Sequence, residues 1–229
     1  MNPKVNDVRE YFIEELKNER FTIDKTGQKT IELIGASFLA DEPAIFGTPN
    51  REYIDREIDW YCSGSTNIRD IYGGDTDPPQ AWQYAANEHG EINSNYGKLI
   101  FDDIYYRQYE NVVCELADSN DTTRRATMVY NRPSIWTEYQ DGGKNDFICT
   151  NAVTYYIRNG ELQAVVQMRS NDVVFGYKND YAWQRYVMDL ICQDLGGNKS
   201  KVKPGSLIWQ VQNLHVYERH FHLVKYMGL

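Results

Sequence analysis

Hydrophobic side chains recur along this chain with two different periods, and the period separates predicted helices from predicted strands. In 3–19, the apolar residues Val8, Phe12, Ile13 and Leu16 recur every three to four positions, with Phe12 and Ile13 adjacent. This spacing predicts an amphipathic N-terminal helix. The same spacing predicts three more helices, over 52–62, 104–116 and 179–195.

Strands are predicted where apolar residues alternate or cluster in short runs. The stretch 29–40, KTIELIGASFLA, indicates a β-hairpin or a strand with a bulge. Asn159-Gly160 stands between two such runs and predicts a tight two-residue hairpin turn. Alternation in 162–168 indicates a strand covered at least partly on both faces. Further strands are predicted over 124–130, 151–158 and 206–217, with loops over 73–80 and 117–123.

The order of these elements limits the fold class. Strands and helices alternate without a regular βαβ repeat, so the sequence predicts an α+β fold with a mixed β-sheet and flanking helices. At 229 residues, with no linker or internal repeat, the chain is predicted to be one domain, 1–229.

Charge and composition exclude several classes of function. A net charge of −9 argues against a broad duplex-binding surface, because such binding depends on many Lys and Arg side chains near phosphates. Apolar runs are too short for a membrane span and the N-terminus has no apolar signal region, so we expect a cytoplasmic protein. The four cysteines are widely separated and no His is spaced as a zinc partner, so no metal site is predicted.

Common nucleotide-binding and hydrolase motifs are absent, but several other segments occur in a recognisable order. These are DKTGQKTIELIGASF, GEINSNYG, RPS, DFICTNAV, MRSNDVVFG, NDYAW and LHVYERH. Together they resemble the thymidylate synthase family from about Thr22 to about Val224. Within that family, CTNAVTYYIR, MRSNDVVFG and NDYAWQ are most similar to the phage deoxycytidylate hydroxymethylase branch.

The resemblance implies a set of catalytic residues. Cys149 would be the nucleophile that adds as a thiolate to carbon 6 of a pyrimidine; by itself a lone Cys is more often a small buried hydrophobe. Glu57 would organise water and proton transfer, although a Glu on an amphipathic helix is usually solvated. Tyr96 would belong to the reaction pocket. The remaining cysteines, Cys62, Cys114 and Cys192, lie in helical patterns that indicate packing.

The resemblance also implies how a nucleotide and a folate would be held. Arg169 and Ser170 would bind the substrate phosphate, and Arg124 and Arg125 would reach the same phosphate across a dimer, since the Arg fork suits phosphate oxygens; a solvated charged turn is the alternative for this Arg pair. Lys25 occupies the place of a further family arginine. The remaining implied contacts are His215 and Tyr217 to the deoxyribose, and Trp82, Asp172, Phe175 and Gly176 to the folate. Structural placement remains the alternative for His215 and Tyr217.

The resemblance implies that Asp180 decides which base the site would take. Thymidylate synthases carry Asn at this place, and an amide satisfies the edge of uracil. An ionised Asp instead accepts from the exocyclic amine of cytosine and faces the uracil oxygen with like polarity. A role as helix N-cap is the alternative, and the two roles are compatible.

The resemblance therefore implies a homodimer, paired through its sheet, that converts dCMP with 5,10-methylenetetrahydrofolate and water to 5-hydroxymethyl-dCMP. The alternatives are a pyrimidine methylase, a dUMP hydroxymethylase, or a non-catalytic scaffold in nucleotide synthesis. Product mass distinguishes a hydroxymethylase from a methylase. The Asp180 side chain argues against a dUMP hydroxymethylase, and a turnover assay tests whether the protein is a non-catalytic scaffold.

Overall fold

The structure, a computed structural model, describes residues 2–74, 76–119, 122–196 and 202–228. Its helices are α1 (Val5–Lys17), α2 (Arg51–Ser63), α3 (Gln80–Ala85), α4 (Tyr96–Phe101), α5 (Gln108–Asp118), α6 (Ile135–Glu138), α7 (Gly176–Leu195) and α8 (Phe221–Met227). Its strands are β1 (Thr22–Ile23), β2 (Lys29–Leu39), β3 (Thr127–Val129), β4 (Thr150–Arg158), β5 (Glu161–Asp172) and β6 (Lys203–Tyr217).

These strands form a sheet of mixed direction, with the order β1-β2-β6-β5-β4-β3. β5 and β6 pair in parallel, whereas β1 with β2, β2 with β6, and β3 with β4 pair antiparallel. Helices flank the strands, so the predicted α+β class with a mixed sheet is confirmed. By Cα distances the chain divides into two compact units, Met1–Pro49 with Tyr155–Leu229, and Asn50–Thr154.

The first unit is built on the long strands β2, β5 and β6. α7 follows β5 and packs on β5 and β6, while α1 packs on β2 and α8. The apolar stripe predicted for α1 is buried at Val8 and Phe12, and each such side chain contributes roughly 1.5–3 kcal/mol of burial free energy. β2 is a single strand, so the predicted strand is confirmed and the hairpin alternative is wrong. Its register against β6 does not shift, so the predicted bulge is also wrong.

The second unit is mostly helical. α2 packs against α4 at a close approach, where a Cβ on Gly97 would lie 2.0 Å from the carbonyl oxygen of Tyr61, so only glycine fits. The predicted start of the helix at Ile104 is wrong: a 3₁₀ turn covers Asp103–Tyr105 and α5 begins at Gln108. Tyr106 and Arg107, with φ of 66° and 48°, adopt the left-handed conformation, which a right-handed helix does not continue through.

The hairpin turn is confirmed in detail. Asn159 and Gly160 have φ of 54° and 77°, as a two-residue turn with both central residues left-handed requires. The strand beyond it buries alternate residues from Leu162 to Met168 and leaves the other face half-exposed or exposed. The predicted loops at 73–80 and 117–123 lie partly outside the described residues.

Two further predictions concern the chain as a whole. In the described part of the chain, no helix combines the length and the apolarity needed to cross a membrane. The assignment of 1–229 to one domain stays a prediction.

Candidate active site

The predicted site residues are shared between the two units. Those in the second unit are Glu57, Trp82, Tyr96, Arg124, Arg125 and Cys149. Those in the first unit are Lys25, Arg169, Ser170, Asp172, Phe175, Gly176, Asp180, His215 and Tyr217.

Cys149 lies directly before β4, between two fully buried neighbours, Ile148 and Thr150. Its own side chain is half-buried, with Sγ 3.8 Å from the carbonyl oxygen of Phe147. A thiol at the start of a buried strand is held by a rigid element and still reaches the surface of the unit. This placement suits a nucleophile.

The segment that carries Cys149 is tied to the segment that carries Tyr96. The buried carboxylate of Asp146 accepts hydrogen bonds from the backbone N–H groups of Asn93 and Ser94, at 2.6 and 2.7 Å, and from the Ser94 hydroxyl at 2.7 Å. Tyr96 follows at the start of α4, buried and stacked on Tyr61 with ring centroids 5.3 Å apart. Asp146 therefore fixes the two predicted catalytic segments against each other.

Glu57 is buried on α2, with 4% of its surface exposed, so the alternative of a solvated Glu is wrong. Its Oε1 accepts a hydrogen bond from the Tyr53 hydroxyl, one turn earlier on α2, and one from Trp82 Nε1 at 3.1 Å. Trp82 Nε1 also lies 2.9 Å from the Tyr53 oxygen. The three side chains form a closed network that holds the carboxyl in one orientation.

Burial raises the pKa of Glu57 to about 7, although the donors Tyr53 and Trp82 oppose the shift. Burial, followed by the neighbouring Glu57 charge, raises the pKa of Tyr53 above its usual value. Near neutral pH, Glu57 therefore exists in both protonation states, which suits a group that gives and takes protons.

Glu57→Gln should make the fold more stable at neutral pH. In wild type the unfolded chain loses the Glu57 proton near pH 4.5 and the folded chain near pH 7, so stability falls between these values as pH rises. The Gln variant lacks this loss. Its free energy of unfolding should exceed that of wild type by about 3 kcal/mol at pH 8 and by little at pH 4.5. Urea unfolding of both proteins at pH 4.5 and pH 8 measures this difference.

The control for this prediction is Asp59→Asn, which removes a carboxylate from an exposed position on the same helix. It should leave the pH trend of wild type unchanged. An identical pH trend in Glu57→Gln and wild type would contradict the prediction.

The other cysteines lie on helices, as predicted. Cys62 on α2 and Cys114 on α5 are exposed, so their interpretation as packing residues is wrong. Cys192 on α7 is half-buried, and burial, reinforced by Asp189, raises its pKa to about 11. Its thiol stays protonated at neutral pH and is a poor nucleophile.

Arg124 and Arg125 are exposed in the stretch before β3. The Arg125 side chain is 84% exposed and its Nε lies 3.0 Å from a carboxylate oxygen of Glu115. Such an exposed pair contributes little to stability, so this guanidinium can exchange partners at small cost.

In the first unit, Asp172 shapes the connection between β5 and α7. Its Oδ1 accepts hydrogen bonds from the backbone N–H groups of Val174 and Phe175, at 2.8 and 2.6 Å. Its Oδ2 is buried and has no hydrogen-bond partner among the described residues. A buried carboxylate oxygen without a donor is costly, so a donor from a bound molecule would be favoured there. Phe175, next to it, is exposed.

Asp180 lies on the second turn of α7, which begins at Gly176, so the alternative of a helix N-cap is wrong. Asp180 Oδ2 accepts a hydrogen bond from Asn171 Nδ2 at 2.7 Å. Asn171 is buried near the end of β5, and Gly176 leaves room for this contact, since a Cβ there would lie 2.9 Å from Asn171 Nδ2.

His215 and Tyr217 lie near the end of β6 with ring centroids 5.0 Å apart, edge to face. His215 is buried, and burial lowers the pKa of its imidazole although the Asp172 charge opposes the shift. His215 is therefore neutral at pH 7, with one ring nitrogen able to accept and the other able to donate a hydrogen bond.

The remaining predicted residues of this unit form two groups. Arg169 and Ser170 are half-buried on β5. Lys25 is exposed in the turn between β1 and β2, which Asp24 closes by accepting from the backbone N–H groups of Thr26 and Gln28.

Three residues that contribute to these arrangements were not singled out from the sequence. Tyr53 stands four residues before Glu57 on a helix, a spacing that brings two side chains together and that offered a signal. Asn171 and Asp146 offered none, because the partners of Asn171 are 9 and 38 residues away and those of Asp146 about 50. In the described residues, no group of three or more His, Cys, Asp and Glu side chains is placed to hold a metal ion.

Comparison with known proteins gives consistent results along nearly the whole chain. The family model described as thymidylate synthase matches residues 13–227. Deoxycytidylate 5-hydroxymethyltransferase of Enterobacteria phage T4 is 51% identical over 222 residues, covering 96% of this chain and 89% of that protein. The protein of the same name from Enterobacteria phage T6 has the same identity and coverage. Thymidylate synthase of Buchnera aphidicola subsp. Acyrthosiphon pisum is 24% identical over 212 residues, covering 88% of this chain and 75% of that protein.

Proposed function

The chain belongs to the thymidylate synthase family, and on that premise we propose that it is a deoxycytidylate 5-hydroxymethyltransferase. It transfers a one-carbon unit from 5,10-methylenetetrahydrofolate to carbon 5 of dCMP with addition of water. The products are 5-hydroxymethyl-dCMP and tetrahydrofolate. The likeness to two phage enzymes of that name, over nearly the full length of the chain, carries the proposal.

Asp180 supports cytosine as the base. Its carboxylate accepts a hydrogen bond from Asn171 on Oδ2, and an ionised carboxylate presents only acceptors to a base. The exocyclic amine of cytosine is a donor and satisfies such a group, whereas the uracil oxygen at the same place is repelled by it. Ring nitrogen 3 of cytosine takes up a proton as negative charge develops on the ring.

Cys149 begins the reaction. Its thiolate forms a bond from Sγ to carbon 6, and the electron pair of the 5,6 double bond makes carbon 5 nucleophilic. Carbon 5 bonds to the transferred carbon and loses its own proton. The bond between that carbon and the folate nitrogen would then break, with its electron pair and a proton going to nitrogen, and tetrahydrofolate would leave. Water then adds to that carbon, and the Sγ–C6 bond breaks to restore the ring. Glu57, with a pKa of about 7, accepts and returns protons in these steps.

The folate is the source of the one-carbon unit, at the oxidation level of formaldehyde. The residues of the first unit fit such a ligand, because Asp172 Oδ2 is a buried acceptor without a donor in the described part of the chain and a pterin ring carries N–H donors. Phe175 is exposed, so its ring is available to a flat ligand beside Asp172, and Gly176 follows it at the start of α7 on this side of the folate site. Trp82 lies on the folate side of the site, and its indole N–H is shared between the Tyr53 oxygen and Glu57.

We place the substrate phosphate against Arg169, Ser170 and Lys25. Arg124 and Arg125 of a second copy complete that site in a homodimer paired through the sheet. The exposure of the Arg pair and the surface ion pair between Arg125 and Glu115 support this role. His215 and Tyr217 hold the deoxyribose hydroxyl. If the chain is phage-encoded, it acts in the host cytoplasm.

Mixing two impaired variants tests the shared phosphate site, with dCMP at a concentration that saturates wild type but not Arg125→Ala. Arg125→Ala should weaken dCMP binding, and an equimolar mixture of Arg125→Ala and Cys149→Ser chains should regain up to about a quarter of wild-type activity. In a heterodimer one site regains both groups, and half of the dimers are mixed. Activity is assayed after subunit exchange. The formation of dimers that contain two differently labelled chains verifies that exchange has taken place. No recovery after proven exchange would contradict the shared site.

Product analysis tests the function itself. Purified protein with dCMP and 5,10-methylenetetrahydrofolate should form a nucleotide heavier than dCMP by the mass of CH₂O, with one tetrahydrofolate formed per product. A methylase would instead add CH₂ and consume a reductant, and a scaffold would form no product. Parallel reactions with dUMP separate the cytosine enzyme from a uracil hydroxymethylase.

A further inference from the structure

Two consecutive hydrogen bonds connect Trp209 through Asn171 to the carboxylate of Asp180. Trp209 Nε1 donates to Asn171 Oδ1 at 3.2 Å, and Asn171 Nδ2 donates to Asp180 Oδ2 at 2.7 Å. Asn171 is 4% exposed and Trp209 is fully buried. All three residues lie in the first unit, on β5, β6 and α7.

The donor and acceptor direction of these two hydrogen bonds is determined by the indole of Trp209. An indole N–H can only donate, so it faces the oxygen of the Asn171 amide. The amide nitrogen therefore points towards α7, where it can only donate, and Asp180 is met by a donor. Trp209 itself is fixed, because its ring packs edge to face on Tyr177, with centroids 5.3 Å apart, and the Tyr177 hydroxyl donates to the carbonyl oxygen of Glu42.

The absence of a side chain at Gly176 permits the contact. A Cβ there would lie 2.9 Å from Asn171 Nδ2 and 3.7 Å from Asp180 Oδ2. The first is closer than such atoms approach in folded proteins, so a larger residue would displace the amide. The connection between β5 and α7 is thus shaped to bring Asn171 against Asp180.

From this geometry we infer that Asn171 is a positioning residue that sets the nucleotide preference by holding the Asp180 carboxylate in one orientation, with Trp209 holding Asn171 in turn. The inference rests on the proposed function, in which Asp180 contacts the base. The hydrogen bond from Asn171 to Oδ2 restricts rotation of the Asp180 carboxylate about its two side-chain bonds. Asn171 acts through Asp180 and does not itself contact the base.

The test is the ratio of kcat/KM for dCMP to kcat/KM for dUMP. Asn171→Leu keeps the approximate size of the side chain and removes the donor, so the ratio should fall about 10-fold or more, mainly through kcat/KM for dCMP, since misplacement by 1 Å can cost about 10²-fold. Trp209→Phe keeps the aromatic ring but releases the amide, so the ratio should fall in the same direction by a smaller factor. Trp183→Phe is the control, because Trp183 is equally buried on α7, whereas the indole that donates to Asn171 is that of Trp209.

Outcomes separate this inference from the proposed function. If both nucleotides lose activity equally in Asn171→Leu, or the ratio is unchanged, Asn171 has only a structural role and the inference is overturned. If Asn171→Leu does not fold, an unchanged ratio in Trp209→Phe overturns the inference instead. If wild type does not turn over dCMP, the proposed function fails. A ratio that moves in Asp180→Asn but not in the Asn171 and Trp209 variants overturns the positioning role alone.

Discussion

Cys149→Ser should abolish turnover of dCMP, by a factor on the order of 10⁴ or more, while the nucleotide still binds. A serine hydroxyl is far less ionised than a thiol near neutral pH, so addition to carbon 6 would lose its nucleophile. Binding should persist because the phosphate and base contacts come from other residues. Turnover is measured by product formation and binding by calorimetry.

The remaining cysteines provide the controls for this result. Cys62→Ser and Cys114→Ser change exposed side chains, and Cys192→Ser changes a thiol that burial keeps protonated at neutral pH. All three variants should keep turnover within a few-fold of wild type. Substantial turnover by folded Cys149→Ser would show that Cys149 is not the nucleophile. A comparable loss in one of the controls would show that the effect is not specific to Cys149.

Asp180→Asn should shift the preference of the enzyme from dCMP towards dUMP. In the variant, the new amide oxygen can accept the hydrogen bond from Asn171, which leaves the amide nitrogen to donate to the oxygen of uracil. The charge that repels that oxygen is also lost, so the ratio of kcat/KM for dCMP to that for dUMP should fall by about 10²- to 10⁴-fold. Turnover of dCMP should fall as well, because a neutral amide stabilises the protonated cytosine ring less well.

The folding control for this variant is simple. Asp180 does not cap α7, which begins at Gly176, so the substitution removes no cap and should change the unfolding midpoint little. An unchanged ratio in a folded variant would mean that Asp180 does not contact the base. The choice of cytosine over uracil would then lack its main chemical support.

The sequence predicted those parts of the fold that depend on neighbours a few residues apart. The stripe of apolar residues in α1 follows from the helical period, and the Asn159-Gly160 turn follows from the left-handed backbone that these two residues tolerate. The prediction missed α5 by four residues at its start, because the left-handed conformations of Tyr106 and Arg107 are imposed by their surroundings and leave no mark in the apolar pattern.

In the candidate site too, some features were predicted from the sequence and others were not. Cys149, Arg169 and Asp180 were named from ordered motifs, since a resemblance along the chain carries residue types and their order. Which hydrogen bonds support the site was not predictable, because they join distant segments: Trp209 lies 38 residues from Asn171 in sequence, and Trp82 lies 25 residues from Glu57.

By itself, the sequence determined the helical and strand periods, the hairpin turn, the α+β class and the chemical types available for a site. Only the tertiary structure decided that Glu57 is buried with a pKa of about 7, that Asp172 keeps one buried oxygen without a donor among the described residues, and that Asn171 holds Asp180. The reason is physical. Periodicity and turn preferences arise from backbone geometry within a few residues, whereas desolvation and hydrogen-bond partners depend on which distant segments the folded chain brings within a few ångströms.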